Sequence, residues 1–263
     1  MLTSAAFLFP SVPTMLIDEQ RGDYTEMLEA LVMTGERILA ESPAAIVAVS
    51  ARWRSSGPFH ADDSAEHRSV IDLPSWGVEP RYDCTGHPAL ARALVEEGLR
   101  RGSRAAVSKH GIDTALSIPL QITVRSRRIP VVPVSIGDGT REEHRAWGEA
   151  LRHTLNAWPD RVAFIVCGAL SFSEHDFNLR RVVPEGVETD KHVLESIQMG
   201  AWSDLGRLDR AEASRAKLEA GLRHLEVLRG FLLVDAPGEL LAYETSPGIG
   251  VALVAFPLEN TGG

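Results

Sequence analysis

Cysteine is scarce in this sequence: only Cys84 and Cys167 occur, far apart and in no paired-spacing motif. A disulfide framework and a cysteine-based zinc site are therefore not indicated. No apolar run reaches the roughly 18 to 20 residues that cross a bilayer. Residues 1–8 contain neither a basic leader nor a small-residue cleavage pattern. These absences predict a soluble, cytoplasmic protein that has no membrane partner.

Positively charged residues are fewer than negatively charged ones. The 27 Lys and Arg residues face 36 Asp and Glu residues, which gives a formal net charge of −9. Because nucleic-acid binding draws most of its affinity from phosphate neutralisation by Lys and Arg, this balance argues against a nucleic-acid partner. The basic cluster at residues 125–128 is typical of a solvated turn.

The chain does contain short apolar runs that alternate with amphipathic stretches, the arrangement of helices packed on a central sheet. Nearly continuous apolar runs predict strands at residues 5–9, 45–50, 129–136, 162–167, 239–244 and 251–256. Apolar residues at helical spacing predict helices at residues 24–41, 87–101, 142–158, 191–199 and 210–231. No low-complexity linker divides the chain, so we expect one α/β domain over residues 1–263.

Ligands of α/β proteins gather at the carboxyl ends of strands, so the segments near predicted strand ends are where chemistry is expected. Five segments stand out: residues 9–13 (FPSVP), 50–53 (SARW), 109–113 (KHGID), 167–172 (CGALSF) and 218–225 (LEAGLRHL). Each motif alone is weak. Their order and spacing along the chain make the whole set specific enough to indicate one protein family.

Together with residues 238–244 and 248–250, these segments resemble the class III extradiol ring-cleavage dioxygenases, the protocatechuate 4,5-dioxygenase β-subunit superfamily. The resemblance spans nearly the whole chain. It implies a single domain like the β-subunit of those class III extradiol dioxygenases, with a central mixed β-sheet flanked by helices. It also implies Fe(II) held by two histidines and a carboxylate, with open positions for a catecholate-type substrate and dioxygen. A further histidine acts as acid and base in that superfamily.

Three positions depart from the pattern that the resemblance implies. Ser11 stands where the first motif places a histidine ligand, and a hydroxyl is a poor iron ligand. Arg52 stands where the second motif places a neutral imidazole, so a permanent cation would repel the metal. Phe172 replaces the acid/base histidine and has no titratable proton, so catalysis by the family's route loses its base.

Two polar site positions of the superfamily are retained. His110 falls at a pocket position and is a catalytic candidate, while Glu219 falls at the carboxylate ligand and is the metal-ligand candidate. Glu226 and Glu244 are the alternatives for that carboxylate. Without the resemblance, His110 fits a turn histidine and Glu219 a solvated helix residue. We expect Arg52 to pair with Glu219. The predicted residues of this metal-free pocket are Ser11, Ser50, Arg52, His110, Phe172 and Glu219.

Other polar residues offer a replacement metal site or a replacement base. Four such side chains lie close together in one segment of the sequence: His60, Asp62, Asp63 and His67. His175, three residues beyond Phe172, is a second catalytic candidate. Neither has a strict ligand spacing, and hydrophilic loops often produce such crowding. Three aromatic residues either cover the pocket or are ordinary packing residues: Trp53, Trp76 and Tyr82.

A complete scaffold that has lost three site residues resembles the non-catalytic α-subunits of 2-aminophenol 1,6-dioxygenase-type enzymes, which lack the iron site of their β partners. The resemblance implies a chain that binds no iron itself and assembles with an Fe(II)-bearing dioxygenase paralogue, or with a second copy, in the cleavage of an aminophenol or catechol. Two alternatives stay open. One is a self-sufficient dioxygenase that holds Fe(II) with non-standard ligands. The other is a protein that binds a small aromatic acid through Arg52 and His110 without reacting with it.

Overall fold

The computed structural model of the protein describes residues 1–125 and 129–258. Residues 126–128 of the basic cluster and residues 259–263 of the predicted domain lie outside the described residues. The strands are β1 (Leu2–Phe9), β2 (Ala45–Arg54), β3 (Phe59–Asp62), β4 (Glu66–His67), β5 (Cys84–Thr85), β6 (Ala105–Ser108), β7 (Val131–Ile136), β8 (Val162–Cys167), β9 (Ser171–Phe172), β10 (Glu239–Ser246) and β11 (Ile249–Pro257). The helices are α1 (Thr14–Arg21), α2 (Glu26–Ala40), α3 (Pro88–Arg100), α4 (Thr114–Thr123), α5 (Arg141–Ala157), α6 (Glu174–Asn178), α7 (Pro184–Gln198), α8 (Arg210–Arg215) and α9 (Arg223–Leu232).

The main sheet is mixed. Its strands follow the order β10-β11-β1-β8-β2-β7-β3-β6, and β9 pairs with β11. The central strands β1, β8, β2 and β7 are parallel to one another. Antiparallel pairing begins outside them, where β11 lies beside β1 and β3 lies beside β7. The predicted α/β fold with a central mixed sheet flanked by helices is confirmed.

Both faces of the sheet are buried under helices. In β2, Val47 and Val49 belong to one hydrophobic core with residues of α3, α5, α7 and α9. The alternate residues Ile46 and Ala48 belong to a second core with residues of α1, α2 and α4. Because a strand that is covered on both sides needs apolar side chains at every position, the continuous apolar runs of the sequence follow from this arrangement.

The prediction of one long helix over residues 210–231 is wrong. That segment divides into α8, a 3-10 turn at Glu219–Leu222, and α9. The last three residues of the turn have φ angles of 51°, 61° and 60°, a left-handed conformation that a continuous α-helix cannot contain. Glu219 and Glu226 therefore lie on separate elements, so the argument that they share a helix face fails.

Several short elements that the sequence patterns did not predict complete the fold. The short strands β3 and β6 extend the sheet beyond β7, and helix α4 packs against β2 and α2. Helix α7 begins at Pro184, earlier than predicted, with proline in its first turn. Across the described residues, every helix is too short or too polar to span a membrane. The cytoplasmic location stays a prediction.

Candidate functional site

Three parallel strands bring the candidate residues to one edge of the sheet. Phe9 at the end of β1 pairs with Cys167 of β8, and Ser50 of β2 pairs with the same Cys167. The ends of β1 and β8 therefore lie level with Ser50, and β2 continues beyond them to Arg54. Ser11 and Arg52, which are separated in sequence, meet at this edge, where α/β folds bind their ligands.

The Arg52 guanidinium occupies the centre of this edge, with only 8% of its side chain exposed. Its Nε donates to Glu219 Oε1 at 3.2 Å. Its two terminal nitrogens donate to Thr114 Oγ1 at 2.6 Å and to the Ser11 carbonyl at 3.2 Å. The expected pairing of Arg52 with Glu219 is present. Since each guanidinium nitrogen has a protein acceptor, the charge is compensated inside the protein.

Phe172 covers one side of this guanidinium. The Arg52 Cζ atom lies 4.8 Å from the centroid of the Phe172 ring, within the range of a cation–π contact. Strand β9 holds Phe172 in place by pairing it with Ile249 of β11. The ring has no proton to exchange, so it packs against the cation and takes no part in acid or base chemistry.

Glu219 uses both of its carboxylate oxygens within the protein. Oε1 accepts from Arg52, and Oε2 accepts from the backbone N–H of Ala169. The Glu219 backbone N–H donates to the Leu170 carbonyl at 2.9 Å, which fixes the turn against the end of β8. A Cβ atom at Gly168 would lie 3.0 Å from Glu219 Oε2, so glycine lets the carboxylate approach this strand end closely.

A second network joins the two serines to the start of α4. Ser11 Oγ donates to the Thr114 carbonyl at 2.9 Å, and Ser50 Oγ donates to Asp113 Oδ2 at 2.6 Å. The same Asp113 oxygen lies 3.1 Å from His110 Nε2. Asp113 therefore orients both Ser50 and His110. Because the Ser50 hydroxyl is directed at the carboxylate and not at the imidazole, the three residues do not form a nucleophile activated by a base.

His110 is the partly exposed member of this network, with 24% of its side chain accessible. Its ring stacks on Trp53 with 4.4 Å between centroids and an interplanar angle of 4°. The backbone N–H groups of His110 and Gly111 donate to Asp62 Oδ2 at 2.6 and 2.8 Å. Burial alone would raise the pKa of Asp62, but hydrogen bonds from His67 and these amides hold it well below its usual range. Asp62 thus anchors the loop that presents His110.

Comparison with known protein families shows which family this chain belongs to. A model of the family described as the catalytic LigB subunit of aromatic ring-opening dioxygenase matches residues 5–254. The chain belongs to this family. The resemblance drawn from the sequence motifs is confirmed at the level of the ring-opening dioxygenase family, and the likeness to its α-subunits stays a prediction.

A solved structure extends the comparison to the fold. The crystal structure of an uncharacterized protein from Escherichia coli K12 matches with a TM-score of 0.71 and 16% sequence identity, covering 96% of this chain and 99% of that chain. At this level of identity the likeness shows the fold alone. The curated proteins give no match to this chain.

Aromatic ring-opening dioxygenases of this kind are expected to use Fe(II), and the side chains at the sheet edge do not fit that ion. The hydroxyls of Ser11 and Ser50 donate to protein oxygens, Arg52 contributes a cation, and Glu219 has both oxygens engaged. Within residues 1–125 and 129–258, no three His, Cys, Asp or Glu side chains are grouped to hold a metal ion. The donor set thus differs from the two imidazoles and one carboxylate that suit Fe(II).

The polar segment at residues 60–67 directs its side chains to different partners. Asp63 pairs with Arg92 at 3.0 Å, while Asp62 anchors the neighbouring loop. His67 is buried with its Nε2 atom 3.0 Å from a backbone carbonyl. His60 stacks against an indole ring with 5.9 Å between centroids. His67 Nδ1 also lies 3.5 Å from Asp62 Oδ2, so these two residues form a buried pair, whereas Asp63 and His60 have separate partners.

The remaining site candidates lie apart from Arg52. His175 is exposed on α6. Glu226 is buried between two arginines of α5, at 3.0 and 3.3 Å, so it holds α9 against α5. Glu244 lies on β10, where burial and the nearby charge of Asp18 raise its pKa. Neither glutamate is among the partners of Arg52.

The three aromatic candidates divide between the site and the core. Trp53 stacks on His110, and Trp76 lies beside Phe172 with 6.2 Å between centroids. Tyr82 is fully buried, and its hydroxyl donates to a backbone carbonyl at 3.0 Å. Trp53 and Trp76 therefore border the site, whereas Tyr82 packs in the core.

Three residues lie in or beside the segments singled out from the sequence but received no role there: Asp113, Thr114 and His224. The first two begin α4, and an aspartate before an apolar helical run was the available signal for a helix N-cap. His224 is fully buried in the first turn of α9, and neither of its ring nitrogens has a partner in the described part of the chain. Burial, reinforced by Arg54 and His144, lowers the pKa of His224 to about 3, so the ring is neutral.

Proposed function

We propose that this chain is a non-catalytic, α-type subunit that assembles with an iron-bearing paralogue in the opening of an aromatic ring. The family supplies the ring-opening scaffold. The observation that carries the proposal is the buried Arg52 guanidinium, which bonds to Glu219, Thr114 and the Ser11 carbonyl. A fixed cation therefore stands at the position where relatives are expected to hold a metal ligand.

Charge repulsion supports this proposal. At about 4 Å and an effective dielectric constant of about 20, two unit charges interact by about 4 kcal/mol, so Fe(II) beside a guanidinium would cost about 8 kcal/mol. Since about 1.4 kcal/mol is a factor of ten, this corresponds to roughly a millionfold in affinity. Arginine cannot relieve the repulsion by losing its proton. Glu219 lessens the repulsion through its own charge, but both of its oxygens are already bonded, so it is not free to coordinate the ion.

The proton-transfer groups support the same conclusion. Phe172 has no titratable proton at the position of the family's acid/base residue. His110 is held by Asp113 at 3.1 Å and by stacking on Trp53, contacts that suit a role in local structure. His175 is exposed on α6.

Both alternative functions would require side chains of the site to leave their present partners. A self-sufficient dioxygenase would have to gather iron ligands from side chains that now bond to separate partners. A protein that binds an aromatic acid through Arg52 would have to withdraw this guanidinium from at least one of its three internal acceptors. Breaking a buried charge pair is costly, so neither alternative is favoured.

Iron binding separates the proposal from a self-sufficient enzyme. The purified chain would be incubated anaerobically with Fe(II), desalted and analysed for iron. We expect iron far below one equivalent per chain, and an increase in the Ser11→His/Arg52→His variant, which restores two imidazoles. Arg54→His is the matched control, because it makes the same exchange two residues away, outside the buried cluster. Stoichiometric iron in the unaltered chain would overturn the proposal whether or not the double variant folds.

Co-expression tests the subunit role itself. The chain would be produced with an iron-bearing paralogue from the same genome and passed through size-exclusion chromatography. We expect one complex that contains both chains, with ring cleavage dependent on the paralogue's iron. A paralogue that is stable, fully active alone and never elutes with this chain would count decisively against the role.

A further inference from the structure

A cleft of about 780 Å³ lies beside the Arg52 cluster, and the function proposed above assigns no role to most of the residues that line it. Phe172 and Glu219 belong to its inner wall. Its other walls come from the end of β2, the start of α5, helix α8 and the turn before α9. Five basic residues line it. Arg141 is paired with Glu226 at 3.0 Å, and we call the other four the cleft cations: Arg54, Arg210, Lys217 and Arg223.

In the described part of the chain, the cleft cations are not in direct contact with a carboxylate. Over residues 1–125 and 129–258, none of the four is in an ion pair, and Arg54 reaches only a backbone carbonyl at 3.5 Å. Lys217 interacts with Asp176 through its charge only, and Asp176 is already paired with Arg181. Some arginines elsewhere do reach a carboxylate, as Arg229 does with Asp235 at 2.7 Å. On a chain of net charge −9, the cleft is a local region of positive potential.

The two acidic residues of the lining are already engaged. Glu219 binds Arg52 and a backbone N–H. Asp209 caps α8 by accepting from the Glu212 N–H at 2.8 Å, and the Glu212 side chain bonds back to the Asp209 N–H at 2.9 Å. Turning either carboxylate toward the cleft cations would break a helix cap or leave Arg52 unpaired. The cleft cations are therefore free to pair with an anion that enters the cleft.

The start of α9 adds to the same wall. Leu222 occupies the N-cap position and provides no side-chain hydrogen bond, so the positive end of the helix is uncapped. His224 in that turn has two buried ring nitrogens without partners in the described residues. A Gly168 Cβ would lie 3.4 Å from His224 Nε2 and 3.0 Å from Glu219 Oε2. The unpartnered imidazole therefore lies directly behind the inner wall of the cleft.

We propose that this cleft binds a small organic anion that carries at least two negative charges on carboxylate or phosphate groups. Arginine side chains match the geometry of both kinds of oxyanion. The volume suits a metabolite-sized molecule. Leu208, Leu218 and Phe172 supply apolar surface for its carbon skeleton. The inference goes beyond the subunit role and does not depend on it, because the cleft cations lie outside the Arg52 cluster.

Two probes distinguish the two kinds of oxyanion: pyrophosphate, and phthalate as an aromatic dicarboxylate. Each would be titrated into the full chain by calorimetry, with sodium chloride added to keep the ionic strength constant. We expect saturable binding of at least one probe at one site per chain. Pyrophosphate alone would assign a phosphate ligand, phthalate alone a carboxylate ligand, and both together the shared charge requirement. Saturable binding of neither probe overturns the proposal.

Charge-removal variants locate the binding. Arg54→Ala/Arg223→Ala should lower the affinity for the probe that binds by about tenfold or more, because two charged donors are lost. The control Arg21→Ala/Arg104→Ala removes two exposed arginines that do not line the cleft, and should change the affinity less than about twofold. If the first variant does not fold, the same replacement at the other two cleft cations takes its place. Equal losses of affinity in the cleft variant and the control variant would overturn the assignment of binding to this cleft.

Discussion

Arg52 and Arg54 lie two residues apart at the end of β2, yet their surroundings are opposite. Arg52 is buried, and every nitrogen of its guanidinium has an acceptor. Arg54 is exposed and reaches a single backbone carbonyl at 3.5 Å. The same side chain is thus a structural cation in one case and an available cation in the other. Burial and the supply of acceptors, not residue type, make this difference.

The comparison also indicates how the loss of an iron site, as proposed for this chain, would leave the fold intact. In the family, a metal ion would supply the positive charge that a buried carboxylate such as Glu219 needs. Here Arg52 supplies that charge at 3.2 Å. The carboxylate can therefore stay buried at the strand ends, and the scaffold around it needs no metal for its electrostatic balance.

Replacing Arg52 with alanine should cause the largest loss of stability, about 3 to 5 kcal/mol, because Glu219 would be left as an uncompensated buried charge. Urea unfolding measures this loss. The matched variant Arg54→Ala should change the free energy of unfolding by less than about 0.5 kcal/mol. Arg52→Ala/Glu219→Ala should recover part of the loss, as expected for a coupled pair. Similar losses at positions 52 and 54 would remove the contrast between the two arginines.

Asp190 on α7 extends the comparison to a buried carboxylate that has no cation against it in the described residues. Its Oδ2 accepts from Ser171 Oγ at 2.8 Å and lies 3.3 Å from the Tyr243 hydroxyl. Burial raises the pKa of Asp190 from 3.8 to about 6, and the two hydroxyls offset only part of this rise. Between these values the native state keeps a proton that the unfolded state has lost, so its contribution to stability falls as the pH rises.

Asp190→Asn, which cannot ionise, should therefore gain stability relative to the unaltered chain by up to about 3 kcal/mol between pH 4 and pH 7. Unfolding free energies of both proteins across that range measure the gain. Asp138→Asn, at an exposed position, is the control and should show a constant difference in unfolding free energy. A constant difference for Asp190→Asn as well would mean that this carboxyl is ionised throughout.

A smaller effect is expected at Thr114, whose hydroxyl accepts from Arg52 at 2.6 Å. Thr114→Val should cost about 1 to 2 kcal/mol, since it leaves a buried charged donor without an acceptor. Thr154→Val removes a buried hydroxyl that donates to a carbonyl within α5 at 3.0 Å, and should cost less than about 1 kcal/mol. Equal costs in urea unfolding would show that the Thr114 hydroxyl adds nothing specific to the Arg52 cluster.

The fold was predictable where apolar residues follow one another without interruption. Strand β8 has the bounds that the sequence predicted, because six consecutive apolar residues fit a strand that is covered on both faces. The break before α9 was not predictable. Ala220 and Leu222 are good helix formers, and their left-handed backbone depends on how the turn packs at the end of β8.

The site was predictable in its charges and not in its hydrogen bonds. Arg52 and Glu219 could be paired in advance, since a buried charge needs an opposite charge. Thr114 could not be assigned, because its contact with Arg52 depends on the approach of α4 to β2 across 62 residues of chain. His224 lies in the segment 218–225, but its burial could not be predicted, since it follows from the packing of α9 on the sheet.

The partners of Arg52 lie 41, 62 and 167 residues away along the chain. Closing such loops costs entropy, so the guanidinium can collect all its acceptors only after four distant segments have docked. We therefore expect its contacts to form after the folding transition state. Contacts of that kind act on the unfolding rate, so Arg52 would prolong the lifetime of the native state while leaving the speed of its assembly almost unchanged.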